Sequence, residues 1–155
     1  MSEYIKGLVS VVIPTYRRCD KLIRAIDSVL AQTYTHIELL VVNDNKPEDE
    51  YTAELVKHTE SYLSDSRFHL IFQEKHINGA VARNYGVKQA QGEYIAFLDD
   101  DDWWDPEKIK KQIEFIGKKN SEGNINYDAV STLVEYYKNG IIQRKSDIYE
   151  EGNIY

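Results

Sequence analysis

The sequence has a single cysteine, Cys19, among its 155 residues. A disulfide framework or a cysteine-based zinc site needs several cysteines, so neither is expected, and a reducing, cytoplasmic compartment suits the chain. The apolar stretch near the N-terminus is too short to span a bilayer and lacks a signal-peptide cleavage pattern. The histidines lack metal-ligand spacing and are expected to be surface or structural residues: His36, His58, His69 and His76.

Positive charge is also in short supply, with 19 basic against 26 acidic residues and a net charge of −7. This balance argues against non-specific binding to nucleic acid or to anionic lipid, and it suits a protein that recruits divalent cations. The chain has 42% hydrophobic and 29% charged residues, without repeats or low-complexity runs, as an ordinary globular protein does. We expect residues 1–155 to form one domain.

The common phosphate-binding loops are missing. The sequence contains no Walker motif, and no G-x-G-x-x-G follows its first apolar run. A P-loop NTPase and a glycine-rich dinucleotide-binding fold are therefore disfavoured. A nucleotide would have to be held through a metal, through its base and ribose, and by a few polar side chains.

Short apolar runs alternate with helical patterns along most of the chain. The runs have the length and β-branched content of strands buried on both faces, at residues 8–13, 37–42, 68–72 and 94–98. Residues 127–144 have the pattern of a β-hairpin. The alternation predicts an α/β fold with a mainly parallel sheet flanked by helices and a hairpin at the C-terminal end.

Helices are predicted between the strands from their apolar spacing and terminal residues. The first runs through Gln32 with Asp20 as its N-cap, and the second covers residues 48–63. Asn78-Gly79 opens the third, which Gly92 would stop. The fourth starts at Pro106, and its buried stripe comprises Ile109, Ile113 and Ile116.

Polar clusters follow three of the predicted strands. Residues 15–17 follow the first strand, residues 43–45 follow the second, and the aspartates 99–102 follow the fourth. In an open parallel sheet the carboxyl ends of the strands share one edge, where ligands bind near a topological switch point. We therefore expect the three clusters to meet in one site.

The run of four aspartates, residues 99–102, needs a physical explanation because neighbouring carboxylates repel one another. Two carboxylates about 5 Å apart repel by roughly 3 kcal/mol at an effective dielectric constant near 20. A calcium loop starting at Asp99 would need glycine and glutamate where the chain has Trp104 and Lys110, so that interpretation fails. Helix capping explains Asp105, with Asp102 as a further candidate, but not four acids placed before two large aromatic residues. An oxygen-ligand site for Mg²⁺ or Mn²⁺, completed by substrate phosphates, is the sharper interpretation.

Four motifs carry a family resemblance. They are "VSVVIPTYRR", "VVND", "NGAVARNYGVKQAQGEYIAFLDDDDWW" and "DPEKI", spanning about residues 9–109 in this order. Together they resemble the donor-binding half of family 2 glycosyltransferases with the GT-A fold. The resemblance implies an inverting, metal-dependent transfer of a sugar from a nucleotide-diphospho-sugar, with a UDP-sugar as the expected donor and a polysaccharide or glycolipid as the acceptor.

The resemblance also implies roles for individual residues. Thr15 and Tyr16 would line the nucleotide pocket, Asp44 would accept from a ring N–H of the base, and Arg83 would lie near the nucleotide. Within the D-x-D element, Asp99 and Asp100 would contact the donor, and Asp101, with Asp99, would hold Mn²⁺ or Mg²⁺. The register within the run stays open by one residue, so Asp102 remains a candidate for the metal.

Two departures from the family pattern qualify the prediction. Asn43 and Asn45-Lys46 stand where many relatives have an acid and glycine-serine. The segment that supplies the acceptor site and the catalytic base in the family would begin about where this chain stops. We therefore expect a donor-binding domain, truncated or shortened, whose base lies outside the chain. The acidic residues near the C-terminal end of the chain are expected to be exposed to solvent: Glu135, Asp147, Glu150 and Glu151.

Two other functions remain open. A non-catalytic nucleotide-sugar-binding module is compatible with the missing base, whereas a sugar-nucleotide pyrophosphorylase would need an N-terminal glycine-rich loop that "VVIPTYRRCD" does not contain. The expected partners are the donor and a saccharide or lipid-linked acceptor, without nucleic acid, either free in the cytoplasm or at the cytoplasmic face of a membrane. Trp103 and Trp104 are candidates for stacking on a sugar or nucleobase, and core packing under the loop is at least as strongly expected for one of them.

Overall fold

The computed structural model describes residues 4–73, 76–117, 135–138 and 141–145. The chain forms two compact units, Met1–Lys110 and Lys111–Tyr155. The elements follow one another as β1 (Ile5–Thr15), α1 (Cys19–Leu30), β2 (Ile37–Asn43), α2 (Glu50–Thr59), a 3-10 helix (Glu60–Ser64), β3 (Phe68–Phe72), α3 (Gly79–Gln89), β4 (Gly92–Phe97), α4 (Lys108–Ile116), β5 (Glu135–Lys138) and β6 (Ile141–Lys145).

The first unit is built on a parallel sheet with the strand order β3-β2-β1-β4. β1 lies in the middle, and its residues from Leu8 to Thr15 are all buried. This confirms the predicted α/β class and the predicted strands. β1 is longer than predicted at both ends and β2 by one residue, β3 has the predicted bounds, and β4 starts two residues earlier and ends one residue earlier. Because the chain adds strands on one side of β1 and then returns to the other, the topological switch point lies between β1 and β4.

α3 packs closely on one face of this sheet. Ala82 of the helix joins Val12, Leu40 and Val42 of the strands in a buried cluster. The neighbouring Gly86 is buried as well, and it has no side chain to separate the helix from the strands. This close packing fixes where the N-terminal end of α3 lies relative to the ends of β1 and β2.

α1 buries one apolar face, but its predicted cap is wrong. The buried side chains of α1 are Cys19, Leu22, Ala25, Ile26 and Val29. The helix begins at Cys19, so Asp20 lies in the first turn and Arg18 occupies the N-cap position. A carboxylate in the first turn still interacts favourably with the helix dipole.

The predicted ends of the third helix are right at the start and wrong at the finish. Asn78 caps α3, and its Oδ1 accepts from the main-chain N–H of Val81 at 3.0 Å. Gly92 does not stop this helix but begins β4. A Cβ atom there would lie 2.6 Å from the carbonyl oxygen of Leu8, so close strand packing explains this glycine.

The second and fourth helices are shorter than predicted. α2 ends at Thr59 and continues as a 3-10 helix to Ser64. α4 begins at Lys108, two residues after Pro106, and Ile109 is its buried residue in the first unit. Asp105 Oδ1 accepts from the main-chain N–H of Glu107 at 2.9 Å, which gives Asp105 the predicted capping role at the start of this segment.

In the second unit, Ile113 and Ile116 are partly rather than fully buried. β5 and β6 pair antiparallel, with Glu135 opposite Lys145, which confirms the predicted hairpin. Its upstream part, residues 127–134, lies outside the described residues, as do Asp147, Glu150 and Glu151. Over the described ranges of the chain, no helix has the length and apolar character needed to cross a membrane.

Candidate functional site

The carboxyl ends of the strands surround a cavity of about 280 Å³. Residues from the end of β1, the turn after β2, the start of α3 and the turn after β4 line it: Pro14, Thr15, Tyr16, Arg18, Asp44, His76, Gly79, Arg83, Asp99, Asp100 and Asp101. The polar clusters that follow three strands in the sequence therefore do meet, as predicted. The cavity lies at the switch point between β1 and β4, where open parallel sheets bind ligands.

Arginines neutralise the acidic run. Arg18 Nη1 lies 2.9 Å from Asp101 Oδ2 and 3.4 Å from Asp100 Oδ1. Arg83 pairs with Asp99. The repulsion expected within this run is thus offset by cations that approach from two other elements, the turn after β1 and helix α3. The sequence prediction included Arg83 but missed Arg18.

The aspartates of the run differ in exposure and therefore in the chemistry open to them. The Asp100 side chain is 8% exposed, and its Oδ2 accepts from the Thr15 hydroxyl at 3.0 Å. Burial raises the pKa of Asp100, against the hydrogen bond from Thr15 and the charge of Arg18. The side chains of Asp99 and Asp101 are 54% and 36% exposed and face the cavity. Asp100 is therefore held in place in the cavity wall, and Asp99 and Asp101 are the carboxylates of the run most open to a ligand.

The exposed pair fits a hard divalent cation. Mg²⁺ and Mn²⁺ prefer carboxylate oxygens, usually one or two from the protein with the rest from phosphate and water. Asp102 also belongs to the run, and its pKa is raised by burial and then by the charges of Asp101 and Asp99. It does not belong to the cavity lining, so the geometry favours Asp99 and Asp101 as ligands.

Asp44, directly after β2, is a buried acceptor in the cavity wall. It is 2% exposed. Its Oδ1 accepts from Gln73 Nε2 at 3.3 Å and from the Ile77 main-chain N–H at 3.4 Å. Its Oδ2 lies 3.0 Å from His76 Nδ1. The carboxylate is therefore a fixed acceptor for N–H groups.

His76 is a second residue that the sequence prediction missed. Its ring stacks on the Tyr16 ring with centroids 4.1 Å apart and an interplanar angle of 15°. It was expected to be a surface or structural residue, and although exposed it lines the cavity. Its position two residues before the predicted start of α3, near the strand ends, is the one sequence signal that pointed to this site.

The side-chain amides of Asn43 and Asn45, two of the departures from the family pattern noted above, hold the turn after β2 in place. Asn43 Nδ2 donates to the Thr52 hydroxyl at 2.9 Å, and its Oδ1 accepts from the main-chain N–H of Asn45 at 2.9 Å. Asn45 Oδ1 in turn accepts from the main-chain N–H of Arg17 at 3.2 Å. Arg17 has a φ of 56°, a conformation that non-glycine residues adopt rarely and that this bond helps to hold. These departures therefore support the cavity walls and leave Asp44 as the acid of this turn that lines the cavity.

The two tryptophans do not line the cavity. Trp104 is 9% exposed, and its main-chain N–H donates to the Ser28 hydroxyl at 3.1 Å. This confirms core packing for one tryptophan. Trp103 is exposed, with the Arg24 guanidinium 3.8 Å from its ring centroid.

Three side chains that can act as metal ligands lie close together, one on α1 and two on α2. One ligand atom each of Cys19, Glu54 and His58 lies within 4.8 Å of the others, a proximity that sequence spacing did not reveal. Burial, and then the charge of Glu54, raises the pKa of Cys19 to about 11, so the thiol keeps its proton at neutral pH. Glu54 and His58 are exposed. We assign no metal to this group.

Comparison with known proteins identifies the family. Residues 10–144 match the model of Glycosyl transferase family 2. The chain is 37% identical over 115 residues to the putative teichuronic acid biosynthesis glycosyltransferase TuaG of Bacillus subtilis, which covers 74% of this chain and 44% of TuaG. It is 38% identical over 110 residues to the Escherichia coli UDP-Glc:alpha-D-GlcNAc-diphosphoundecaprenol beta-1,3-glucosyltransferase WfaP, covering 70% of this chain and 41% of WfaP.

Solved structures agree with these relatives. The S. aureus TarS fragment 1–349 in complex with UDP superposes with a TM-score of 0.61 at 28% identity, covering 70% of this chain and 31% of TarS 1–349. The chain spans less than half the length of each of these three proteins. The family model covers most of the sequence, and the parallel sheet with its cavity at the strand ends agrees with the GT-A fold. This chain belongs to glycosyl transferase family 2.

Proposed function

We propose that this chain binds the donor of an inverting, metal-dependent glycosyltransferase that uses a nucleotide-diphospho-sugar, with UDP as the nucleotide, to build a polysaccharide or glycolipid. One observation carries the proposal: a single cavity brings the buried acceptor Asp44 together with the exposed carboxylates Asp99 and Asp101. The names of TuaG and WfaP and the UDP complex of TarS support this donor and acceptor class. A cytoplasmic location is part of the proposal and rests on the single cysteine.

The nucleoside would lie against the β1 and β2 ends of the cavity. A base with a ring N–H can donate to Asp44, and Tyr16 offers it an aromatic face. Asp100 and Thr15 are joined by a hydrogen bond and fix the wall between the base and the acidic turn. Ribose hydroxyls can then donate to the carboxylates at the start of that turn, Asp99 and Asp100.

The diphosphate would lie over the exposed carboxylates. We assign Asp101 and Asp99 to a Mn²⁺ or Mg²⁺ ion, which when bound neutralises charge on the departing nucleoside diphosphate. Arg18 and Arg83 pair with these carboxylates in the free chain. If Asp99 and Asp101 held the cation, the guanidinium groups of Arg18 and Arg83 would be available to the phosphate oxygens, for which their planar geometry is suited.

Inversion needs a base on the face of the sugar opposite the leaving group. Among the described residues that line the cavity, the acids all belong to the donor-binding set, namely Asp44 and Asp99 to Asp101. We assign no catalytic base. The same observation favours the alternative, a nucleotide-sugar-binding module that does not turn over.

Calorimetric titration with UDP, GDP and their sugars, with and without Mn²⁺, tests the proposal, and a donor-hydrolysis assay runs beside it. We expect UDP compounds to bind more tightly than GDP compounds, and Mn²⁺ to strengthen binding. Metal-dependent binding without turnover would favour the binding-module alternative. If no nucleotide binds, both the transferase proposal and the binding-module alternative are wrong.

Asp44→Asn tests the base contact. The amide keeps the shape of the side chain but turns one acceptor into a donor, which would face the N–H of the base. We expect UDP to bind about 10- to 100-fold more weakly, since an unsatisfied buried polar contact costs roughly 1–3 kcal/mol. Pyrophosphate with Mn²⁺, which has no base, should bind the variant and the parent chain equally. Equal loss for both ligands would show that the variant disturbs the fold rather than the base contact.

A further inference from the structure

The hydrogen bonds of His76 define its tautomer. Nδ1 lies 2.9 Å from the Asp44 main-chain oxygen and 3.0 Å from Asp44 Oδ2. Both neighbours can only accept when the carboxylate is ionised, so Nδ1 must carry a proton and donate it. His76 therefore presents a planar aromatic ring whose N–H donates to the Asp44 main-chain oxygen and lies beside the carboxylate oxygen Oδ2.

The same ring is stacked on Tyr16. The two ring planes are nearly parallel, at 15°, and their centroids are 4.1 Å apart, so the rings are stacked in close contact. In the proposed function, a nucleobase needs these same two features, a ring N–H to Asp44 and a face on Tyr16. His76 satisfies both in the absence of nucleotide.

Burial makes the two arrangements mutually exclusive. Asp44 is 2% exposed; its Oδ1 accepts from Gln73 Nε2, and its Oδ2 lies 3.0 Å from His76 Nδ1. An incoming base cannot reach Oδ2 while the imidazole lies against it. The His76 side chain, in contrast, is 34% exposed and has a route to solvent.

We propose that His76 occupies the nucleobase position in the nucleotide-free chain and that the donor must displace it to bind. The inference rests on the proposed function and adds to it a specificity-determining residue. When the donor displaces His76, the N–H of the base replaces the imidazole N–H beside Asp44, and the base replaces the imidazole ring on Tyr16. A ligand that lacks the ring N–H or the aromatic ring cannot replace both contacts. His76 thereby lowers the affinity for every nucleotide and disfavours bases that leave the buried carboxylate without a donor.

The test compares His76→Ala with His69→Ala by calorimetry in the presence of Mn²⁺. His69 is an exposed histidine of β3 that does not line the cavity, so it controls for the substitution itself. We expect His76→Ala to bind UDP about 3- to 10-fold more tightly than the parent chain, as loss of one competing hydrogen bond implies. Pyrophosphate affinity should stay the same in all three proteins. Unchanged or weaker UDP binding by His76→Ala would overturn the proposal.

Proton NMR gives a second readout that does not depend on affinity. The imidazole resonances of His76 are those absent from the His76→Ala spectrum, and stacking on Tyr16 shifts them upfield. Saturation with UDP should move them downfield, whereas pyrophosphate should not. An unchanged position, or a further upfield shift from a base stacked on the imidazole, would refute displacement.

The outcomes separate this inference from the proposed function. UDP binding to the parent chain with no gain in His76→Ala rejects the displacement and keeps the donor site. Binding of pyrophosphate with Mn²⁺ but of no nucleotide, in parent and variants alike, rejects the nucleotide site, and the role of His76 falls with it.

Discussion

Asp101→Asn is expected to abolish the strengthening of UDP binding by Mn²⁺. Asparagine keeps the size of the side chain and removes the charge that a hard cation prefers. If coordination of the diphosphate through the ion contributes about 3 kcal/mol, the loss is roughly 100-fold in affinity at saturating metal. The measurement is the ratio of UDP affinities with and without Mn²⁺, which should fall toward one.

The fold should tolerate this substitution. Asp101 is partly exposed, and its pair with Arg18 at 2.9 Å is of the kind that contributes about 0–1 kcal/mol. Its charge also helps to raise the pKa of Asp100 and of Asp102, so its removal relieves repulsion within the run. An unchanged thermal unfolding midpoint would confirm that the loss of metal response is local.

Asp102→Asn is the matched control for the register of the run. It removes the same charge one residue further on, from a side chain outside the cavity lining. The Asp102 main-chain N–H donates to the carbonyl oxygen of Asp99 at 3.1 Å, and the substitution leaves this turn intact. The metal response should survive. If Asp102→Asn loses it and Asp101→Asn does not, the ligand assignment is wrong by one residue.

The location of the site could be predicted from the sequence because one geometric rule decides it. Parallel strands end at one edge, so the residues after each strand must gather there, whatever their distance along the chain. Thr15 and Asp100 are joined by a hydrogen bond although 85 residues separate them. The alternation of strands and helices was enough to place them together.

The partners within the site could not be predicted in the same way. Side-chain pairing depends on where a helix or loop meets the sheet to within an ångström, which periodicity does not specify. Arg18 was missed because it lies in a turn, where no pattern shows its direction. His76 lacks metal-ligand spacing, and its ring contact with Tyr16 joins residues far apart in the sequence. Spacing along the chain therefore does not identify it.

Helix ends show the same limit on a smaller scale. The start of α3 at Asn78-Gly79 is predicted correctly, because the bond from the Val81 main-chain N–H to Asn78 that caps the helix is local in sequence. Gly92 was predicted as a helix stop because glycine commonly ends helices. Its actual reason is the strand packing at Leu8 and Ser10, which only the folded chain reveals.

Gly86→Ala should destabilise the first unit, against the usual effect of this change in a helix. In an exposed helix, alanine is preferred over glycine by about 1 kcal/mol. Here a Cβ atom would lie 2.5 Å from Val12 Cγ1 and 3.0 Å from Val42 Cγ2, in a core whose atoms are at 0% exposure. Overpacking of this kind costs about 1–3 kcal/mol or more, so we expect a net loss in the free energy of unfolding. Urea unfolding followed by circular dichroism measures it.

Gly79→Ala is the control within the same helix. A Cβ atom there would meet only the end of the flexible Arg83 side chain, at 3.4 Å, so its effect on stability should be small. The double variant Gly86→Ala with Val12→Ala removes the methyl group that the new Cβ would strike, and it should be more stable than the sum of the single changes predicts. Because α3 carries Arg83 into the cavity, its outward shift in Gly86→Ala should also weaken UDP binding. A Gly86→Ala chain as stable as its parent would mean that α3 does not pack on β1 and β2 as closely as described, and the position of Arg83 beside Asp99 would lose its structural basis.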